Sequence, residues 1–243
     1  MQIILIGETC WDNYRCGTVN RISPEAPVPV LDWDGTETKH KGMAANVCAN
    51  FENLGAKIEL HTRFVSSLTR YFSGQHQLLR VDTPLGGWSP FDPEEIEDWK
   101  ADAIVISDYN KGFVSYETIR YIRAKYHGPM FIDTKKPDLS QFEGIITKIN
   151  NDEWHRRISE HPNSDQLIVT GGSGKIRSGE EEWSPKAIKM VDACGAGDTF
   201  FAAYVVGYLT TNNKSAAIEF AMKAAGITVQ HLGVYAPTLE EIK

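Results

Sequence analysis

The sequence predicts an α/β protein built on a mostly parallel sheet with helices on both faces, plus a small β lid. Three observations lead there. Short continuous apolar runs recur along the chain, as in strands buried on both faces. Segments of helical spacing fill several intervals between those runs, giving the βαβ rhythm of a parallel sheet. A proline-rich stretch with alternating segments beyond it reads as edge strands set apart from the core.

Taken in order, Ile3 to Ile6 is the first apolar run, ending in Gly7, so Glu8 to Asn13 is expected as a loop at a strand's carboxyl end, where α/β sheets bind ligands. Residues 18 to 34 carry Pro24, Pro27 and Pro29 among Val28, Val30 and Leu31, which suits an edge strand or arm. Ala44 to Leu54 keeps helical spacing through Ala45, Val47, Cys48, Phe51 and Leu54, and Gly55 supplies a stop. Ile58 to His61 is the next strand, and Arg63 to Val65 and Gln77 to Val81 read as two more, turned at Ser73-Gly74. A helix over 92 to 100 is expected from Asp92-Pro93-Glu94-Glu95, an acidic first turn.

The alternation then continues. Ala103 to Ile106, Met130 to Ile132, Ile145 to Ile149 and Leu167 to Val169 are strands, with Thr118 to Lys125 as a helix. Asp198 to Thr210 is apolar almost all round, as in a helix buried in a large core. Ser215 to Val229 is the last helix, lined by small residues such as Ala217, Ala221 and Ala224. One domain over 1–243 is expected, with a lid from about 14–34 and 63–82 within it.

Composition narrows the partners. The chain has 243 residues, 42% hydrophobic and 23% charged, enough for one packed core without a staple. A net charge of −7 with no Lys/Arg run argues against broad binding to nucleic acid or an anionic membrane. The start, with a four-residue apolar run and no basic segment before it, reads as a strand rather than a signal peptide, and a cytoplasmic protein is expected. Cys10, Cys16, Cys48 and Cys194 lack metal-ligand spacing and read as reduced thiols, mostly small apolar fillers.

The chemistry concentrates at Gly195-Ala196-Gly197-Asp198, just before the apolar helix. Small residues there let an anion approach the backbone N–H groups of a helix N-terminus. Asp198 in the first turn could take a proton from a hydroxyl attacking a γ-phosphoryl group, although a helix cap behind a tight turn explains the same residues.

The longer string Val191 to Phe200, with Asp192-Ala193-Cys194-Gly195-Ala196-Gly197-Asp198 at its centre, resembles the carboxy-terminal signature of the ribokinase-like (PfkB) carbohydrate kinases. Upstream, Arg21 to Val30, Gly42-Met43-Ala44-Ala45-Asn46-Val47, Gln75 to Asp82, Ser107 to Gly112 and Ala224 to Ile227 with Leu232-Gly233 resemble, in order, the branch acting on D-glycero-β-D-manno-heptose 7-phosphate. The resemblance implies a ribokinase-like fold and ATP-dependent phosphorylation of a sugar or sugar-phosphate hydroxyl, with ATP as co-substrate and Mg²⁺ as cofactor. It implies Asp198 as general base, with Gly195, Ala196 and Gly197 as the anion hole. Asp12, Gly42 and Asn46 match the sugar side, and Arg80 and Lys111 are candidates for a substrate phosphate, against the bland reading of solvated cations. Asn150 and Glu153 match an Asn-x-x-Glu element on the nucleotide and Mg²⁺ side, with helix capping as the alternative. Thr170 and Gly172 match a turn near the nucleotide. A homodimer through the lid strands is also implied, since the lid edges are poorly protected in a monomer.

Gly171-Gly172-Ser173-Gly174-Lys175 is not a P-loop, because Val169 and Ile176 occupy positions that motif gives to Gly and Ser/Thr. Three departures from the family stand out. A segment that members carry after Leu60 is missing, so a trimmed fold is expected. Met43 replaces a customary glycine, which keeps another sugar or a nucleoside open as substrate, while the missing segment keeps a non-catalytic binding protein open. Cys194 replaces a threonine at a helix start, where a thiolate would be favoured, although a silent swap is the preferred reading.

Overall fold

In a computed structural model, which describes residues 1–242, ten strands form one sheet with six α-helices packed against it. The strands are β1 (Gln2–Ile22), β2 (Pro29–Met43), β3 (Lys57–Ser73), β4 (His76–Pro84), β5 (Ala103–Asp108), β6 (Met130–Thr134), β7 (Ile146–Asn150), β8 (Leu167–Thr170), β9 (Ile176–Ser178) and β10 (Glu181–Trp183). The helices are α1 (Ala44–Asn53), α2 (Tyr116–Lys125), α3 (Asn151–Arg156), α4 (Ala196–Thr211), α5 (Lys214–Thr228) and α6 (Leu239–Ile242). The order across the sheet is β10-β9-β8-β7-β6-β5-β1-β3-β4, with β2 joining β1. Neighbours from β3 through β1 to β8 are parallel, and antiparallel pairs close both ends.

Strand periodicity sorts the core into two layers. Ile3 and Leu5 join Val105, Phe131 and Ile168 beneath α1, α4 and α5. Ile4 and Ile6 face the other way, with Ile104, Ile106 and Ile132 against α2 and the loop carrying Phe142. Helices therefore cover both faces, as the apolar runs predict. Close approach needs small residues where α4 crosses α5: a Cβ on Gly207 would lie 3.1 Å from the Ala217 Cα.

Four expectations are corrected. The loop at Glu8 to Asn13 is strand, because β1 runs on to Ile22. At Gly7 and Ser107 it parts from β5, and from Thr9 onward β2 takes that edge. Only glycine fits at the parting point, where a Cβ on Gly7 would stand 2.3 Å from the Ser107 carbonyl oxygen. The segments Ile58 to His61 and Arg63 to Val65 are likewise one strand, β3, paired with β1 from Gln2 to Gly17. The lid is thus the sheet itself, extended: the far halves of β1 and β3 with β2 and β4, reaching Met43 and Pro84 rather than 34 and 82. The helix over 92 to 100 shrinks to a 3₁₀ turn, Pro93–Glu95, capped by the Asp92 side chain. Ile96 and Phe91 are drawn into the core, and tertiary burial there wins over a weak helical pattern. The short β9–β10 hairpin had no sequence expectation.

Candidate functional site

β5 leaves the sheet's middle where β2 arrives, and that parting opens a crevice at the strands' carboxyl ends. The start of α4 points into it. Gly195, in the left-handed conformation at φ 77°, caps the helix, and no side chain does, so the N–H groups of Gly197 and Asp198 keep no side-chain partner. A Cβ on Gly195 would meet the Asn46 amide nitrogen at 2.9 Å, so glycine is required there twice over.

Asp198 is only 7% exposed. Its Oδ2 accepts from Asn46 Nδ2 at 2.8 Å and its Oδ1 from the Tyr109 hydroxyl at 2.7 Å. Burial pushes its carboxyl from 3.8 up to about 6, against the pull of those two hydrogen bonds. The helix-cap alternative finds no support, because the side chain bonds to α1 and the β5 loop and caps nothing.

A cavity of about 180 Å³ opens on one side of Asp198, lined by Gly195, Gly197, Asn150, Glu153, Lys148, Asp133, Lys135 and Tyr109. Lys148 is buried beside it, its ammonium 2.7 Å from Asp133. Burial works against that charge, yet the Asp133 carboxylate holds the lysine above its ordinary value. A Cβ on Gly197 would stand 3.3 Å from Lys148 Nζ, so this cation lies beside the α4 amides. Asn150 and Glu153 form a capping box on α3, each side chain bonded to the other's backbone N–H. The other Glu153 oxygen takes no hydrogen bond from the described residues and faces the cavity. Burial raises its carboxyl. Thr170 ends β8 and donates to the Ile149 carbonyl, and Gly172 turns at φ 64°; neither lines this cavity.

A second cavity of about 620 Å³ is lined by Asn46, Ala45, Thr9, Thr62, Lys39 and Val234 among others; Asp198, Asp12, Gly42, Arg80 and Lys111 do not line it. Asn46 thus stands between the two cavities. Asp12, buried on β1, forms an ion pair with Arg70 of β3. Gly42 makes room for it: a Cβ there would lie 2.6 Å from Asp12 Oδ2. Arg80 is exposed and paired with Asp82 at 2.6 Å, opposite Arg70 in the β3–β4 register. The Arg80 hydrogen bond holds Asp82 below its usual range. Met43, at φ 59°, occupies a backbone conformation suited to glycine and buries its side chain against Cys10, Val65 and Leu68.

The thiolate expected at Cys194 is not favoured. Burial raises the thiol, which lies 3.6 Å from the Tyr14 hydroxyl, and the helix start belongs to Gly195. Sequence reasoning missed Tyr109, Lys148, Arg70 and Glu8. A lone lysine inside the apolar run of β7 was a readable signal. So was Glu8, straight after a buried run; its carboxylate accepts the backbone N–H groups of Tyr109, Lys111 and Phe113.

Residues 155–242 match the model of the pfkB family carbohydrate kinases. Over 306 aligned positions the chain is 30% identical to the bifunctional protein HldE of Helicobacter pylori strain J99, covering 99% of this chain and 65% of that protein. HldE of Caulobacter vibrioides is 29% identical over 301 positions, at 99% and 62% coverage. The chain thus spans less than two thirds of the length of these curated relatives. An alignment of 306 positions against 243 residues leaves at least 63 positions without a residue here, in keeping with a trimmed form. Among solved structures, the ribokinase of Arabidopsis thaliana complexed with ribose and ATP superposes with a TM-score of 0.70 at 16% identity, covering 99% of this chain and 96% of that one. At that identity the likeness concerns the fold.

Proposed function

As a chain that belongs to the PfkB family of carbohydrate kinases, with the ribokinase-like fold, this protein, we propose, transfers the γ-phosphoryl group of ATP to a hydroxyl of a phosphorylated sugar of the heptose 7-phosphate kind. One observation carries the reading: a buried carboxylate, Asp198, stands at a helix N-terminus that no side chain caps, lining a cavity that also holds a buried cation.

Asp198 takes the proton of the acceptor hydroxyl as its oxygen bonds to the γ-phosphorus, and the bond to the bridging oxygen of ADP breaks. The amides of Gly195 and Gly197 and the Lys148 ammonium would face the charge gathering on the phosphoryl oxygens, while the Ala196 N–H would join them on releasing the Ala193 carbonyl to which it now donates. Asn150, which lines the smaller cavity, would serve the nucleotide, and Thr170 and Gly172, outside its lining, are given to that side by the resemblance alone. The donor set suits Mg²⁺, which takes one or two carboxylates and leaves its other positions to phosphates and water. Glu153, with one oxygen uncommitted, would hold it. Bound there, the ion would neutralise phosphate charge.

On the acceptor side, Asn46 and Asp12 meet sugar hydroxyls, and Gly42 keeps the approach open. Arg80, here paired with Asp82, and Lys111 would serve a phosphate on the acceptor. Exposed Ile22, Val28, Trp33, Leu79 and Val81 on the lid support a homodimer joined through these strands. Sedimentation showing a strict monomer at high concentration would reject that pairing. No helix among the described residues is long and apolar enough to cross a membrane, and we place the enzyme in the cytoplasm.

An ATP-consumption screen over sugars and sugar phosphates, including heptose 7-phosphate and fructose 6-phosphate, tests the reading. With the responsive substrate, Asp198→Asn should lose about 10²- to 10⁴-fold in turnover, with little change in nucleotide affinity. Turnover near that of the parent sinks the mechanism.

A further inference from the structure

Tyr109 lies in the Ser107 to Gly112 string, where the resemblance gives a role to Lys111 alone, yet it makes one of the two side-chain hydrogen bonds to Asp198. Its placement is built from behind. The buried Glu8 carboxylate accepts the N–H groups of Tyr109, Lys111 and Phe113, so the turn after β5 is clamped onto β1 where the two strands part. Asn110 takes a left-handed conformation at φ 55°, and its N–H donates to Asp108. The Lys135 ammonium sits 4.5 Å from the centre of the Tyr109 ring. The phenol has little freedom to swing away from Asp198.

We propose that Tyr109 is a positioning residue of this site: its hydroxyl donates to Asp198 Oδ1, keeps the carboxylate ionised and fixes the plane in which a free lone pair meets the acceptor hydroxyl. Each carboxylate oxygen accepts more than one hydrogen bond, so this donation leaves Asp198 able to receive the proton. The inference rests on reading Asp198 as the base.

The surroundings explain why such a donor is needed. Besides Tyr109, the titratable and charged groups facing Asp198 are Cys10 from β1, Asp133 and Lys135 at the end of β6, Lys148 from β7 and Glu153 from α3. Lys148 already serves Asp133, and Asn46 on α1 is neutral. Burial raises the Asp198 carboxyl, and the hydrogen bonds from Asn46 and Tyr109 oppose it. Burial and the nearby Asp198 charge keep the phenol protonated, so it acts only as a donor toward the carboxylate.

The test reads Asp198 directly, by ¹³C NMR titration of protein labelled at aspartate, with Asp198→Asn identifying the resonance. In Tyr109→Phe the midpoint should rise by roughly one to two pH units, the loss of one hydrogen bond to a charged acceptor. Replacing Tyr109 with 3-fluorotyrosine, a more acidic donor of nearly the same shape, should move it the other way, and covers the case of a Phe variant that folds poorly. Midpoints unmoved in both proteins overturn the proposal. This titration needs no substrate, so its failure is separate from that of the kinase reading, which the ATP-consumption screen decides. With a responsive substrate, the acid limb of kcat/KM for Tyr109→Phe should follow the NMR midpoint upward, and much of the lost rate should return at higher pH.

Discussion

Two stretches of one strand live in different surroundings. From Ile3 to Gly7, β1 is buried on both faces, between β3 and β5 and under helices. From Cys16 to Ile22 it leaves β3 after Gly17 and runs on paired with β2 alone, its residues half-buried or exposed. The first stretch is held by packing, the second mainly by its ladder with β2. The difference separates what makes the fold stable from what is free to meet a ligand or a second lid.

The largest effect should come from the body. Phe201→Ala removes a ring that is 1% exposed and should cost about 3–5 kcal/mol, read from the denaturant midpoint at constant slope. A cost under about 1 kcal/mol would break the contrast.

Next comes Asp198, where function costs stability. The folded carboxyl is raised from 3.8 to about 6, so the folded state holds the proton more tightly than the unfolded chain. That contribution is complete below pH 3.8 and is lost as pH rises through about 6. Above that, the ionised group opposes folding by at most about 3 kcal/mol. Asp198→Asn should therefore raise Tm relative to the parent at pH 8 and give little gain at pH 4. A gain at pH 4 and none at pH 8 would reverse the assignment.

Met43 stands where the two regions join. Met43→Gly releases a positive-φ conformation worth about 1–3 kcal/mol of strain while losing a buried side chain. The net change should be within about 1 kcal/mol, far less than a core methionine truncation normally costs. Smallest of all, Leu79→Ser on β4, where Leu79 is 56% exposed, should change monomer stability by less than about 0.5 kcal/mol. If the lids pair, the same change should weaken the dimer, so comparing dilute and concentrated protein sharpens the contrast.

How much was legible follows from the range of each interaction. The body strands, α1, α2, α4 and α5 were readable because their periodicities are local, as was the glycine turn, whose conformation follows from its own residues. The expected loop at Glu8 to Asn13 failed because a strand end depends on which neighbour continues the ladder, here β2. Helix 92–100 failed because burial of Ile96 outweighed its flanking signals.

The sequence by itself determined the α/β class, the two-faced core and Asp198 at a helix start. Tertiary structure alone decided what surrounds that aspartate. Asn46 lies 152 residues from it and Tyr109 lies 89, while Asp12 and Arg70 are separated by 58. No local pattern encodes such pairings. They arise where β1 exchanges β5 for β2, bringing α1, the β5 turn and α4 to one crevice and leaving buried polar groups to satisfy one another.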